Sequence, residues 1–524
     1  MTPRRTQVAS AGGLVALAIG AMSYFDLQTI LAFNDDYIYS WSARHLASGV
    51  LYPRQTALAL PQIVAGWLVS LPFAHDQRAL RLSVLIAIAG GAWAAFRIAR
   101  RLGARIVWSL LAPAMIVTSP IFFNLAVSFM SDVAFVALLL LACESGVAWL
   151  EGDGGRASFV MWATLSTLQR FVGVGVAPCL AAVIWIRWRR TGRGLERADA
   201  TWLAVALVGS LAAALTPGVL GVSGGLDVVD RLRHVDVEAV LTPLIHLPVV
   251  AGYLLLPAAL AISVRWNVRL AVFAAVGAAV VVALLLGFKW LPGNIWTFEG
   301  PAPTLGGVKP PPIPLLVQAL LIAFSVIAFW LLGVAAATRW LAAATDSRYS
   351  FLLLVSAVQL LLLLPNTVSF YDRYYLPVIA PLVPMLAALA QSIGRPGAAT
   401  FAAAACGLLL FASVIYEQDY ESWQLARDEA AHLAYRCAPP AQVNAGYEAN
   451  AVYVEIPTYE ATGHAAPARV AGRDVTVLGP ADPAVWLGFA FADDSRPGVA
   501  YSSSAPGKIV VSGSGCSVAL NGGG

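Results

Sequence analysis

Acidic residues are scarce in this chain: Asp and Glu make up 29 of its 524 residues. Two of them stand side by side in the stretch FNDDYIYSWSARHLASG, as Asp35 and Asp36. A carboxylate pair has two chemical uses. It takes a proton from a hydroxyl or amine as a general base, or it holds a divalent cation through its oxygens. A third acid, Asp132, follows in SFMSDVAF and adds to the oxygens such a cation would take. The basic residues that bear on chemistry are Arg373 in YDRYY, Arg54, Arg81, Arg170 and Lys289. His45, His75, His234 and His246 do not fall at metal-ligand spacing, and no zinc site is expected. Each residue also has a plain structural reading. An acid at a helix start caps the helix and meets its positive dipole end. An arginine at a span end anchors at the interface or pairs with a neighbour such as Asp372.

The elements that position these residues are hydrophobic. The chain is 59% hydrophobic and 12% charged, about half the charge of a soluble domain, roughly 25%. Apolar runs of about 18 to 24 residues recur, long enough to cross a bilayer as helices. The expected class is an all-α polytopic membrane protein. Spans are read near 9–32, 80–97, 106–122 with a turn at Ser119-Pro120, and 131–150. Two short passes follow in 157–187, then spans near 201–221, 241–263, 270–287, 314–337, 349–365, 375–391 and 398–416, about thirteen in all. Arginines gather in the short loops, the positive-inside pattern. It puts the N-terminus in the cytoplasm and the tail outside, and a retained first span, rather than a cleaved leader, fits the length of the first apolar segment. The net charge of +4 carries no nucleic-acid signal.

Residues 33–79 then form a long outer loop, half apolar, that lies along the membrane surface. Long ordered loops in compact proteins tend to be functional. The chain divides into a membrane domain, 1–416, and a tail, 417–524. In the tail a helical stretch precedes short β-branched runs, AVYVEI, DVTVLG and KIVVSG, separated by turn residues. That pattern suggests a small extracytoplasmic α+β domain. Cys437 and Cys516 can pair there if the tail faces an oxidising compartment. Cys143, Cys179 and Cys406 fall in apolar spans.

Several segments, in order, resemble the membrane-embedded GT-C glycosyltransferases of the protein O-mannosyltransferase and aminoarabinose (lipid A) transferase type. They are the aspartate-bearing first outer loop, RALRLSVLIAIAGGAWAAFRIARRLG, LLAPAMIVTSPIFFNLAVSFMSDVAFVALLLLA, TLSTLQRFVGVGVAP and FYDRYYLPVIAPLVPMLA. The likeness covers residues 9–187 and 360–416, and the middle only as hydropathy. It implies a GT-C-like fold in a bacterial cytoplasmic membrane. It implies an enzyme that moves a hexosyl or pentosyl group, with inversion, from a polyprenyl-phosphate donor to a glycan, lipid or protein acceptor at the outer face. Asp35 or Asp36 would be the base, Asp132 a second acid, and Arg373 a phosphate ligand. No Gly-rich phosphate loop is visible, as expected where the donor is not a nucleotide sugar. The family's basic residue followed by two prolines is missing from the first outer loop, where YPRQTALALPQ stands with Arg54.

Two other classes compete. A transporter would show inverted repeats and ionisable residues at mid-membrane; no repeat is visible, and Gln169 and Arg170 are the nearest to the second criterion. A non-catalytic envelope-assembly protein would use the tail for docking. Convergence of Asp35, Asp36 and Asp132 with an arginine at one outward place separates the transferase from both.

Overall fold

The computed structural model describes residues 3–28, 35–53, 55, 57–192, 196–220, 237–262, 277, 319–320, 322–333, 345–364, 372–393, 397–439, 442–445 and 450–462. It also describes the strand segments 468–470, 473–476, 479–480, 485–491, 498–501 and 507–513. The first ten helices are α1 Pro3–Gln28, α2 Asp36–His45, α3 Leu60–Ser70, α4 Gln77–Arg101, α5 Ile106–Val117, α6 Pro120–Ala126, α7 Ser131–Glu151, α8 Arg156–Gln169, α9 Val176–Thr191 and α10 Arg197–Val219. Further helices cover Val237–Leu254, Leu256–Ala261, Ile322–Gly333, Ser347–Leu363, Leu382–Ile393 and Ala398–Cys437.

Among the described residues, six helices are long and apolar enough to cross a membrane, or eight when each of two bent pairs counts as one span. The chain is a polytopic helical membrane protein. The expected count of about thirteen is not reproduced, and nearly all of the span read near 270–287 lies outside the described residues. The expected turn at Ser119-Pro120 is a 67° bend between α5 and α6. Pro120 opens the new helix, where its missing N–H costs nothing, and the Ser119 hydroxyl accepts the Phe122 N–H at 3.3 Å. The two short passes in 157–187 are α8 and α9, which turn back on each other at Phe171–Gly175. That return is tight: a Cβ on Gly173 would meet the Ser166 carbonyl carbon at 2.6 Å.

Two long helices, α4 and α7, run between charged ends. In α4, Arg81 lies in the second turn and Arg97 and Arg101 lie at the far end. In α7, Asp132 is in the first turn and Glu144 and Glu151 are toward the last. Twenty-one residues separate the limits of α7, about 30 Å at 1.5 Å per residue, the thickness of a bilayer's hydrocarbon core. The two helices lie side by side, and Gly91 of α4 admits the backbone of Ala137, whose Cα would be 3.0 Å from a Cβ there. At the far end Arg101 donates to Glu144, Glu151 and Asp153 at 3.0, 2.6 and 2.9 Å. Arg348 reaches Glu151 at 2.8 Å, and Arg156 reaches Asp199 at 2.7 Å. The N-terminus belongs to this basic end, since Gln7 donates to Thr400 at 3.2 Å.

The helix Ala398–Cys437 starts at the basic end and runs for 40 residues, so the boundary read at 416/417 falls inside one continuous helix. Its second half packs on a sheet of strand order β1-β5-β7-β6. Here β1 is Val443–Asn444, β5 Val485–Phe491, β6 Gly498–Tyr501 and β7 Gly507–Gly513, with β1 parallel to β5 and the other pairs antiparallel. A second sheet joins β2 Ala468–Val470, β3 Arg473–Thr476 and β4 Gly479–Pro480. Cys437 is disulfide-bonded; Cys516 lies outside the described residues. Cys143, Cys179 and Cys406 are free and buried.

Candidate active site

At the end opposite the basic one, α2 follows the first span, α3 lies beside it, and the starts of α4 and α7 reach the same level. Asp35 occupies the N-cap position of α2, yet its side chain makes no capping hydrogen bond. Met130, not Asp132, occupies the N-cap of α7. All three acids are buried instead, with Asp35 5%, Asp36 0% and Asp132 2% exposed. A solvated helix cap would not be. Burial of a charge is costly unless it is paired, and an arginine stands against each acid.

Asp36 is fully engaged. Its Oδ1 accepts from the Ser40 hydroxyl at 2.6 Å and from Gln77 Nε2 at 2.8 Å, and its Oδ2 accepts from Arg81 Nη2 at 3.2 Å. Ser40 sits one turn along α2, and Gln77 opens α4 one turn before Arg81, so two helix starts close on this carboxylate. Arg44 holds Gln77 in turn, 2.7 Å from Nη2 to Oε1.

Asp35 has a different neighbour. Arg373 Nη2 lies 3.7 Å from its Oδ2, beyond direct hydrogen-bond length. Arg373 belongs to the short helical turn Asp372–Tyr375. Asp372 accepts the backbone N–H of Arg373 at 2.7 Å, while the Arg373 guanidinium turns toward Asp35 and feels Asp132 as well. Arg170 pairs with Asp132, and the ring of Tyr374 lies between the two arginines, 5.7 Å from Arg170 Cζ and 5.5 Å from Arg373 Cζ. The acids and arginines thus form one contiguous cluster, Asp36–Arg81 on one side and Asp35–Arg373–Asp132–Arg170 on the other.

Glutamines set the second half of this cluster. Gln169 precedes Arg170 at the C-terminus of α8. Its Nε2 donates to Gln62 Oε1 at 2.8 Å and to the Ser131 carbonyl at 3.1 Å. Its Oε1 accepts the Gln62 N–H at 3.2 Å, a donor in the first turn of α3 that α3 itself leaves unsatisfied. Ala59, just before α3, takes a left-handed conformation with φ of 49°, which costs an alanine roughly 1–2 kcal/mol; its N–H is held by the Gln169 carbonyl at 3.1 Å. These contacts lock α3, α7 and α8 together directly behind Arg170.

The tail reaches the same place. Trp41 on α2 donates to Glu460 at 2.9 Å, and the Tyr52 hydroxyl donates to Glu455 at 2.7 Å. Tyr459 stacks edge-on against both rings, with centroids 5.3 Å from Trp41 and 5.0 Å from Tyr52. Glu455, Tyr459 and Glu460 therefore clamp the helix that carries the acid pair.

Of the residues expected at a site, Asp35, Asp36, Asp132, Arg81, Arg170 and Arg373 come together. Arg54 and Lys289 lie outside the described residues. Arg81 is committed to Asp36 rather than open to a ligand. Among the described residues, no group of three or more His, Cys, Asp or Glu is arranged to hold a metal ion. Gln62, Gln77, Tyr374 and the tail residues went unread in the sequence, and Gln169 was read only as an ionisable-site candidate of a transporter. Glutamines inside apolar stretches such as LALPQIVAGW were the one available signal for them.

No protein-family model matches the chain, and no curated protein does. Among solved structures, the crystal structure of ArnT from Cupriavidus metallidurans bound to undecaprenyl phosphate aligns with 96% of this chain and 98% of its own. The identity is 15% and the TM-score 0.39. A likeness at that score carries no argument about the site, which stands on its own geometry.

Proposed function

We propose that the chain is a GT-C-like membrane glycosyltransferase that moves a sugar from a polyprenyl-phosphate donor to an acceptor hydroxyl at the outer membrane face, with Asp35 as the general base. The observation that carries this reading is the position of Asp35. It stands where a helix cap would stand, caps nothing, is buried, and faces Arg373. Asp36 cannot serve as readily, because Ser40, Gln77 and Arg81 already take its oxygens. Convergence of three acids with arginines at one end of the bundle also supports a reaction centre over scattered surface charge.

In this reading the donor buries its tail in lipid and presents phosphate and sugar at the depth of the cluster. Asp35 takes the proton of the incoming hydroxyl as its oxygen bonds to the anomeric carbon. The bond from that carbon to the phosphate oxygen breaks, and the electron pair leaves with the phosphate. One displacement inverts the anomeric centre. Arg373 stabilises the charge that grows on the departing phosphate, and Arg170 with Asp132 holds the Tyr374 side of the cluster in place.

A strain lacking the gene should accumulate a polyprenyl-phosphate sugar, identified by mass spectrometry of extracted lipids. The wild-type gene should clear it and the Asp35→Asn variant should not. An unchanged lipid pool in the deletion strain would overturn the reading.

A further inference from the structure

The opposite end of the bundle holds a cavity that the reaction does not use. Its volume is about 550 Å³, and it opens between the end of α7, the end of α9 and the start of the helix Ser347–Leu363. Arg187, Arg190 and Arg348 line it together with Glu151, Asp346, Val183 and Ile186. The charges are not equivalent. Glu151 is taken by Arg101 and Arg348, at 2.6 and 2.8 Å. Asp346 is gripped by Arg348, at 3.0 Å from Nε and 2.6 Å from Nη2. Both acids of the wall are thereby engaged, and Arg187 and Arg190 are the remaining cations that line the space. Arg187 is aimed by one contact, Nη1 to the Leu150 carbonyl at 2.7 Å, which uses one of its five donors.

Exposed tryptophans on α9, the helix that carries Arg187 and Arg190, mark this end of the bundle as a membrane surface. Trp185 and Trp188 are 53% and 37% exposed, as tryptophans of an interfacial belt are. Arg189 stacks on both, 5.4 Å from each ring, and so does not serve the cavity. Ile186, also exposed, continues the wall toward the lipid-facing side of α9. Arginine at a helix C-terminus complements the dipole by itself, but that explains neither the cavity nor its apolar flank. A cationic recess with an apolar wall at the bilayer edge fits a phosphate whose ester carries acyl chains.

We infer that this cavity binds the headgroup of an anionic glycerophospholipid from the adjoining leaflet, with Arg187 and Arg190 on the phosphate and Val183 and Ile186 along the first acyl carbons. The test is native mass spectrometry of the purified full-length protein titrated with phosphatidylglycerol, phosphatidylcholine or inorganic phosphate. Wild type should hold phosphatidylglycerol at least tenfold more tightly than phosphatidylcholine. Arg190→Gln alone should weaken the preference several-fold, and Arg187→Gln with Arg190→Gln should abolish it. Replacing both with Lys should keep it, and Arg189→Gln should leave it within about twofold. A thermal melt of each variant separates lost binding from lost fold, and the lysine pair carries the test if the glutamine pair does not fold. Equal binding of the two lipids, an unaffected glutamine variant that folds, or full displacement by inorganic phosphate at equal concentration would each overturn the proposal.

Discussion

Changing Asp35 and Asp36 singly to Asn separates two roles that the sequence leaves merged. Asp35→Asn removes the proposed base, a carboxylate that Arg373 faces from 3.7 Å while also facing Asp132. General-base removal lowers turnover by roughly 10²–10⁴-fold, about 2.7–5.4 kcal/mol in the barrier at 1.36 kcal/mol per tenfold. Stability should change little by comparison. Asp36→Asn acts the other way. It takes the charge from a carboxylate that accepts from Ser40, Gln77 and Arg81, and it leaves Arg81, itself 1% exposed, without a full counter-charge. Breaking a buried pair by removing one partner costs about 3–5 kcal/mol. The Asp36 variant should therefore unfold at a markedly lower temperature, and what folds should retain turnover closer to wild type. The assay is sugar transfer from a polyprenyl-phosphate donor by purified protein, paired with a thermal melt of the same sample. Near wild-type turnover in Asp35→Asn would refute the assignment of the base. Lost turnover at unchanged stability in Asp36→Asn would exchange the two roles.

Two further outcomes follow from the contacts. Tyr459→Ala removes a ring packed on Trp41 and Tyr52, worth about 0.5–1.5 kcal/mol per aromatic pair; limited proteolysis should cut the tail several-fold faster, and an unchanged rate would mean that the tail does not depend on this clamp. At the basic end, burial pulls the Asp346 carboxyl up, but hydrogen bonds and charge from Arg348 outweigh it and hold it below the ordinary range. A depressed carboxylate stabilises the fold above the unfolded value, near 3.9, and that contribution is lost as pH falls through the folded value; Asp346→Asn should therefore lower the melting temperature at pH 7, with the gap closing below about pH 4.

The sequence shows much of this frame. Hydropathy locates the long helices, Ser119-Pro120 announces its bend, and the crowded glycines of QRFVGVGVAP accompany the turn between α8 and α9. These features are local, so they can be read from neighbouring residues. The pairings are not local. Asp36 meets Arg81 across 45 positions, Asn124 bonds Glu417 across 293, and Tyr52 meets Glu455 across 403. Nothing in the spacing of FNDDYIYS tells which acid is enclosed by α4 and which is left toward Arg373. That choice is made by Gln77, whose amide reaches Asp36 and Ser40 only once α4 has packed beside α2. At the start of the tail the apolar pattern stops near residue 416, while the helical hydrogen bonds continue to Cys437.

Charge balance gives the cluster a further property. Asp36 and Asp132 each pair with an arginine, Arg81 and Arg170, and Asp35 faces Arg373. A donor phosphate adds negative charge, and one arginine must turn to it. Arg81 donates to Asp36 and Arg170 pairs with Asp132, while Arg373 lies 3.7 Å from Asp35, beside Tyr374. In the proposed reaction Arg373 would be the group that turns to the phosphate, and its move would leave the Asp35 carboxylate facing the acceptor. Binding and base exposure become one event. Arg373→Gln should raise the donor KM by more than it lowers kcat at saturating donor. Asp35→Asn should bind the donor as tightly as wild type or more tightly, because it removes an anion that competes for Arg373, even as turnover collapses. Donor affinity measured by calorimetry on the inactive variant decides the point: a tenfold weaker affinity in Asp35→Asn would mean that the carboxylate helps to hold the donor, and the exchange of partners would be wrong.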